Sequence, residues 1–361
     1  MSNSGNNTIR RKLDHLEHFK NDDHSTTGSS TWLEHVHLVH NALPELDFSE
    51  IDVSTRLLGN RLESPLFISG MTGGISESES INLDLAMVAD NMGIGFGLGS
   101  MRSMIESPET TGTYKVRDFA PGVFLPGNIG GTQLISTPHD VLINALDEVQ
   151  ANAVCVHLNP AQEILQSEGD RNFRGILEAI RRLVSAIEIP VIVKETGAGI
   201  SRSVGLRLID AGVQAIDVAG CGGTSMMEVE INRQGKAYDP DLMAIRGWGI
   251  PTAAAICDLS DQDIDLIASG GIRTGYDVAR SIALGAAVAG LAAPILRAYF
   301  RDGKSGCERL LNGIINVLKI SMLLTGSKTL VELGKTDFVA TGPLREWISQ
   351  KNNPHPCNRN W

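Results

Sequence analysis

No two of the five cysteines in this 361-residue chain form a CxxC pair. Cys155, Cys221, Cys257, Cys307 and Cys357 are an odd, widely scattered set, which fits a reducing compartment better than a disulfide framework. An excess of basic charge is missing too. The formal net charge of −11 and the pI near 5.3 argue against a nucleic-acid-binding surface, so any anionic ligand must be held by a local cluster of cations. Long apolar runs are absent. The most apolar late segment, Leu310 to Leu324, is interrupted by Asn312 and Lys319, and no membrane span is expected. The N-terminus is polar and charged, unlike a signal peptide, and a cytoplasmic location is the resulting expectation.

A hydrophobic content of 42% remains, enough for a substantial core in a soluble globular protein. From residue 64 short apolar runs alternate with helical patterns. The runs are Pro65–Ser69, Ile94–Leu98, Val123–Leu125, Ala153–His157, Pro190–Lys194, Ala215–Ala219, Asp265–Ala268 and Val288–Ala292. Helical patterns between them include Ile81–Met92, Asp140–Val149, Phe173–Ile187, Ser201–Asp210, Thr252–Leu259 and Tyr276–Leu284, with a last one at Glu308–Leu324. Eight strands alternating with helices predict an α/β fold of the (β/α)8 TIM-barrel type, with its active site in the loops after the strands. An open doubly wound sheet would carry GxGxxG after its first strand, and Met71-Thr72-Gly73-Gly74 lacks that spacing. The expected organisation is an N-terminal arm or lid over 1–48, a barrel over 49–330 and a C-terminal helical extension over 331–361. The first nine residues read as disordered, and Arg10-Arg11-Lys12 then supplies three adjacent cations. His35, His37 and His40 share no strand or helix face and are left without a role.

The densest polar stretch is His157 to Phe173, HLNPAQEILQSEGDRNF. It follows a buried strand and offers an imidazole (His157), two carboxamides (Asn159, Gln162) and a carboxylate (Glu163) within seven residues. Lys194 closes another strand and should point into the barrel mouth as a Schiff-base nucleophile, a phosphate clamp or a cation beside an electron-rich ring; the sequence leaves the three open. Gly220-Cys221-Gly222-Gly223-Thr224-Ser225 and Ser269-Gly270-Gly271-Ile272-Arg273 follow strands six and seven, and Ala292-Ala293 ends the eighth. Such loops hold phosphate through backbone N–H groups and a helix N-terminus. Cys221, with no base nearby in sequence, reads as a packing residue.

RKxxH at Arg11 to His15, MTGG at Met71, GS(x)R at Gly99 to Arg102, HLNPxQE at His157, GDRNF at Gly169, VKE at Val193, GGTS at Gly222 and SGGIRTG at Ser269 occur in this order. The set resembles type II isopentenyl-diphosphate isomerase, and the resemblance runs from about residue 10 to 350. The resemblance implies an enzyme that interconverts isopentenyl and dimethylallyl diphosphate, with reduced FMN and Mg2+, NADPH as reductant and a homo-oligomeric assembly, tetramer or octamer. It implies FMN contacts at Gly70, Met71, Thr72, Ser100, Asn128, Lys194, Thr224, Gly271, Ile272, Arg273, Ala292 and Ala293. Substrate contacts are implied at Arg11, Lys12, Ser100, Met101, Arg102, His157, Asn159 and Gln162, with Glu163 as the Mg2+ ligand. Catalytic roles would fall to Gln162, Glu163, Lys194 and His157. The chain departs from the family pattern at Met101, Ala219 and Met226. Alternative readings are an FMN-dependent 2-hydroxy acid oxidoreductase, whose His base and Arg this chain lacks after strand six, and a flavin-binding protein without catalysis. A nucleotide dehydrogenase using Cys221 as nucleophile would leave Arg11, Lys12 and HLNPAQE without a role.

Overall fold

The structure, a computed structural model, describes residues 29–235 and 239–352. Eight short parallel strands form its central sheet: β1 Leu66–Ile68, β2 Gly95–Phe96, β3 Pro126–Gly130, β4 Ala153–His157, β5 Val191–Lys194, β6 Ala215–Asp217, β7 Asp265–Ala268 and β8 Val288–Leu291. Hydrogen-bonded neighbours run β2-β1-β8-β7-β6-β5-β4-β3. The Phe96 and Leu98 amides donate to the Phe124 and Pro126 carbonyls at 2.9 and 3.0 Å, which joins β2 to β3 and closes the barrel. The expected (β/α)8 architecture is therefore present.

Residues two apart on a strand face the same side of the sheet. Phe67, Cys155, Ile192, Ala215, Ile267 and Val288 pack together in one apolar cluster inside the barrel. Two residues further along the same six strands stand Ser69, His157, Lys194, Asp217, Ser269 and Gly290, so the interior changes from apolar to polar within one pleat. The apolar end is sealed by a hairpin of Thr55–Leu57 and Asn60–Leu62. Its two-residue turn places Leu58 and Gly59 at φ of 50° and 79°, the twist that suits right-handed strands. Leu57 and Leu62 enter the cluster at 0% and 2% exposure, each burial contributing about 1.5–3 kcal/mol. Gly95 leaves room for Phe67, whose ring carbon would lie 2.4 Å from a β-carbon there.

Three expectations are revised. The third strand lies at Pro126–Gly130 rather than Val123–Leu125, so Asn128 sits within a strand and not in the loop after it. The last barrel helix runs over Ala293–Thr325, with a non-helical break at Gly303, where only Glu308–Leu324 reads as helical in sequence. The C-terminal extension carries a strand, Phe338–Ala340, besides the helix Gly342–Asn352. That strand pairs antiparallel with Val36–Leu38, so the segments on either side of the barrel are joined to each other. His37 lies on this pair, Nε2 3.2 Å from Thr341 Oγ1, and among the described residues no three His, Cys, Asp or Glu side chains gather around a metal position. Residues 30 and 31 pass over the C-terminal end of the barrel, where a β-carbon on Gly222 or Gly271 would collide with Thr31.

Candidate active site

A cavity of about 290 Å³ opens at the C-terminal ends of the strands. Its floor is Lys194, Asn128, Ser69 and Ser269; one wall is the turn after β4, and the opposite wall is the glycine loops after β6 and β7 with the end of β8. Gly70, Met71 and Thr72 line it from the loop after β1, Ser100 and Arg102 from the loop after β2, and Thr224, Gly271, Ile272, Arg273, Ala292 and Ala293 from the glycine side. His157, Asn159, Gln162 and Glu163 complete the polar wall. Met101 does not join them. Its side chain is fully buried, and its Sδ lies 3.4 Å from the Asn128 amide, so it packs into the core beside the site without lining it. Arg11 and Lys12 lie outside the described residues.

The polar wall is built from a short turn, Pro160–Glu163, that follows β4. Pro160 supplies the helix-compatible first position, where a missing N–H costs nothing. Asn159 Nδ2 donates to Glu163 Oε1 at 3.0 Å and Gln162 Oε1 at 3.3 Å, and the Asp170 amide donates to Glu163 Oε2 at 2.9 Å. Asn159, Gln162 and Glu163 are each at most 9% exposed. His157 Nδ1 lies 2.8 Å from Asn128 Oδ1, which fixes the imidazole plane against β3.

Two further groups support this wall and were not singled out from sequence. Gln166 is 1% exposed and Glu230 is wholly buried; Glu230 Oε1 accepts from Gln162 Nε2 at 3.3 Å and from Gln166 Nε2 at 3.0 Å. Arg233 Nε donates to the other Glu230 oxygen at 2.8 Å and Arg233 also bonds Glu168. Glu230 sits on the helix Met226–Arg233, whose N-cap Ser225 ends the GGTS motif. A signal existed in the i, i+4 spacing of Met226, which lines the cavity, and Glu230.

The glycine wall has free backbone donors. Arg273 and Thr274 amides are taken by Asp277 Oδ2 at 3.1 and 2.9 Å in a capping box that starts the helix Gly275–Ala283. The Gly271 and Ile272 amides just before them have no acceptor among the described residues. Gly270 and Gly271 adopt φ of 95° and 82°, open to glycine and resisted by other residues. A second helix starts at Ala293, so two helix N-termini meet at this wall beside the Arg273 side chain. Ser69 Oγ is buried without a partner. Ala219, which lines the cavity, is held at φ 37°, unusual for a residue with a β-carbon.

Lys194 Nζ donates to the Glu195 carbonyl, while the Glu195 carboxylate is turned away and accepts from the amides of Thr196, Gly197 and Ala198. Burial pushes the Glu195 carboxyl up, and those amides oppose it. Burial also raises the Cys221 thiol to about 11, which agrees with a packing role. Arg102 is held by Glu106 at 2.8 Å.

Residues 136–340 match the FMN-dependent dehydrogenase family. A mandelate oxidase with an FMN monooxide adduct superposes with a TM-score of 0.63 at 16% identity, covering 94% of this chain and all of that one, a likeness of fold alone. The isopentenyl-diphosphate delta-isomerase of Pyrococcus abyssi is 41% identical over 357 residues, covering 95% of both chains. That of Halobacterium salinarum is 42% identical over 353 residues, covering 96% of this chain and 97% of the relative. Agreement at that level along nearly the whole length places this barrel in the isopentenyl-diphosphate delta-isomerase family.

Proposed function

We propose that the chain interconverts isopentenyl diphosphate and dimethylallyl diphosphate in this cavity, with reduced FMN as its cofactor. One observation carries the reading: the buried Asn159-Gln162-Glu163 cluster faces the same cavity as Lys194 and a wall of unpartnered backbone donors. The residues fit a flavin. Gly271, Ile272 and the two helix N-termini would take its phosphate, Ser69 Oγ would gain the partner it lacks, and Lys194 would stand beside the ring. Reduced flavin supplies an exchangeable proton at N5 and an electron-rich ring, chemistry that no side chain here offers an unactivated alkene. NADPH would serve as the reductant.

The protein's part is to bind, orient and exclude water. Arg102, Arg11 and Lys12 would gather on the diphosphate, each contact charge-assisted. Arg11 lies about twenty residues before Thr31, a reach of up to roughly 70 Å, and Thr31 already crosses the cavity's glycine wall. In this reading the arm would act as a lid over the mouth. Glu163 would be the Mg2+ ligand, and the ion would arrive with the diphosphate, because Mg2+ is commonly held by one or two carboxylates plus phosphate oxygens. Gln162, fixed between Asn159 and Glu230, would orient the substrate's reacting carbons. The setting would be cytoplasmic and the assembly homo-oligomeric. A 2-hydroxy acid oxidase of the same fold would need a His base and an Arg after β6, where Cys221 to Ser225 stand.

The decisive experiment reduces the FMN-loaded protein anaerobically, adds either diphosphate with Mg2+, and follows interconversion by NMR. Flavin binding at micromolar FMN and approach to one equilibrium mixture from both sides are expected. A protein that takes up no FMN, or one that binds it and instead oxidises 2-hydroxy acids, would overturn the assignment.

A further inference from the structure

Asp217, at the end of β6, is a buried carboxylate below the cavity, 2% exposed and absent from its lining. In the β5/β6 register it stands opposite Lys194. Its Oδ1 accepts from Ser269 Oγ, at the end of β7, and from the Ala219 amide at 3.2 Å. Lys194, Ser269 and Ala219 all line the cavity, so one carboxylate addresses the tips of three consecutive strands from beneath. The bond to Ala219 is a side-chain turn of the i, i+2 kind, and it ends on the residue whose left-handed backbone resists a β-carbon. Asp217 and Lys194 also share an inner cavity of about 10 Å³ with Asn128 and Cys155, at the lower limit for one water.

A carboxylate this deep requires an opposite charge nearby, and the Lys194 ammonium, one strand over in the register, supplies it through space and not by a direct bond. Burial pushes the Asp217 carboxyl up and Lys194 opposes that push. The Glu195 carboxylate is occupied by three amides, which leaves Asp217 as the acid in Lys194's register.

We propose that Asp217 is a positioning residue of the cofactor site: it balances the charge of Lys194 and pins Ala219 and Ser269, and thereby sets how strongly the cavity prefers reduced to oxidised FMN. The proposal rests on the reading that FMN occupies this cavity. Asp217→Asn keeps an oxygen for Ser269 and Ala219 and removes only the charge. Lys194 would then present its full charge to the flavin, and reduced FMN, the more electron-rich form, would be favoured.

The test measures the midpoint potential of FMN in the full-length holoprotein by anaerobic dye-equilibrated titration, for wild type, Asp217→Asn, Lys194→Gln and the double variant. Asp217→Asn is expected to raise the preference for reduced flavin about tenfold, read as a rise of about 30 mV for a two-electron couple. In the Lys194→Gln background the buried Asp217 carboxyl, left without its counter-charge, should take up a proton, and that rise should vanish. An unchanged potential in the single variant, or an equal rise in both backgrounds, overturns the proposal, and a merely structural role would predict the former. Should Asp217→Asn fail to fold, Asp217→Glu decides: the charge is kept while the Oδ1 bonds shift, so FMN affinity should fall with the reduced-to-oxidised preference within about threefold of wild type. A tenfold change there overturns it. Wild type that takes up no FMN removes the cofactor reading itself, a failure seen before any variant is compared.

Discussion

The two ends of the barrel are made by the same strands and do opposite work. At the N-terminal end Phe67, Cys155, Ile192, Ala215, Ile267 and Val288 close on the hairpin residues Leu57 and Leu62, and the contents are apolar. Two residues later the strands present Ser69, His157, Lys194, Asp217, Ser269 and Gly290, and the cavity begins. One pleat therefore separates the part that holds the fold from the part that binds. Polar groups that would be costly in a core are tolerated here because the apolar layer and the hairpin stabilise the barrel below them. Substitutions at the mouth should change catalysis with little effect on stability, and substitutions in the plug should do the reverse.

The largest effect is expected beyond the mouth. Removing residues 1–12 takes away Arg11 and Lys12; if they make the two diphosphate contacts proposed for them, worth about 1.5–3 kcal/mol each, KM should rise roughly 10²–10⁴-fold. The flavin spectrum and melting temperature should stay as they were. Equal substrate affinity in the truncated protein would leave the diphosphate to the barrel loops alone. Next comes the plug. Phe67→Ala empties the space that Gly95 and Gly97 leave for its ring and should cost about 3–5 kcal/mol of stability by chemical denaturation. Activity per folded molecule should be unchanged; a fall in kcat at wild-type stability would erase the division between the two ends.

How much of this was readable beforehand depends on whether a residue's role is local. β4 and β7 match their expected bounds, Ala153–His157 and Asp265–Ala268, because an apolar run there ends in a polar residue or glycine. β3 does not. Pro126-Gly127-Asn128-Ile129-Gly130 reads as a turn by its residue types, yet a β-carbon on Gly127 would come within 2.3 Å of Leu146 Cδ2, so close packing selects glycine inside the strand. The motif around Ser100 and Arg102 suggested Met101 as a contact, but spacing does not say which way a side chain turns, and this one turns into the core. Glu230 and Gln166 were hidden for another reason. Glu230 and Arg233, three apart on one helix, look like a solvent-facing ion pair, and the partners that make Glu230 part of the site lie more than sixty residues earlier in the chain.

The polar wall gives an intermediate effect. Glu163→Gln keeps both the hydrogen-bonding shape toward Asn159 and most of the volume while removing the charge a hard cation requires. Activity should fall about 10²-fold, roughly 2.7 kcal/mol in transition-state terms, and the response to added Mg2+ should disappear. FMN affinity should hold. Wild-type activity with an intact Mg2+ response would reduce Glu163 to a residue that ties the Asp170 backbone to the turn.

The smallest effect separates stability from binding within one pair of side chains. Arg102 lines the cavity but is held by Glu106 one helical turn away at 2.8 Å, with both side chains substantially exposed. An exposed i, i+4 pair contributes about 0.3–0.5 kcal/mol, and the acid here follows the base, the weaker of the two orders. Glu106→Gln should therefore lower stability by no more than a few tenths of a kcal/mol. The same change releases the guanidinium from a competing carboxylate, and a diphosphate that no longer has to displace Glu106 should bind about twofold more tightly, read as a lower KM at unchanged kcat. If KM rises instead, Glu106 is not a competitor but the group that aims Arg102 at the substrate, and the polar mouth would extend one helical turn further from the barrel than the cavity lining indicates.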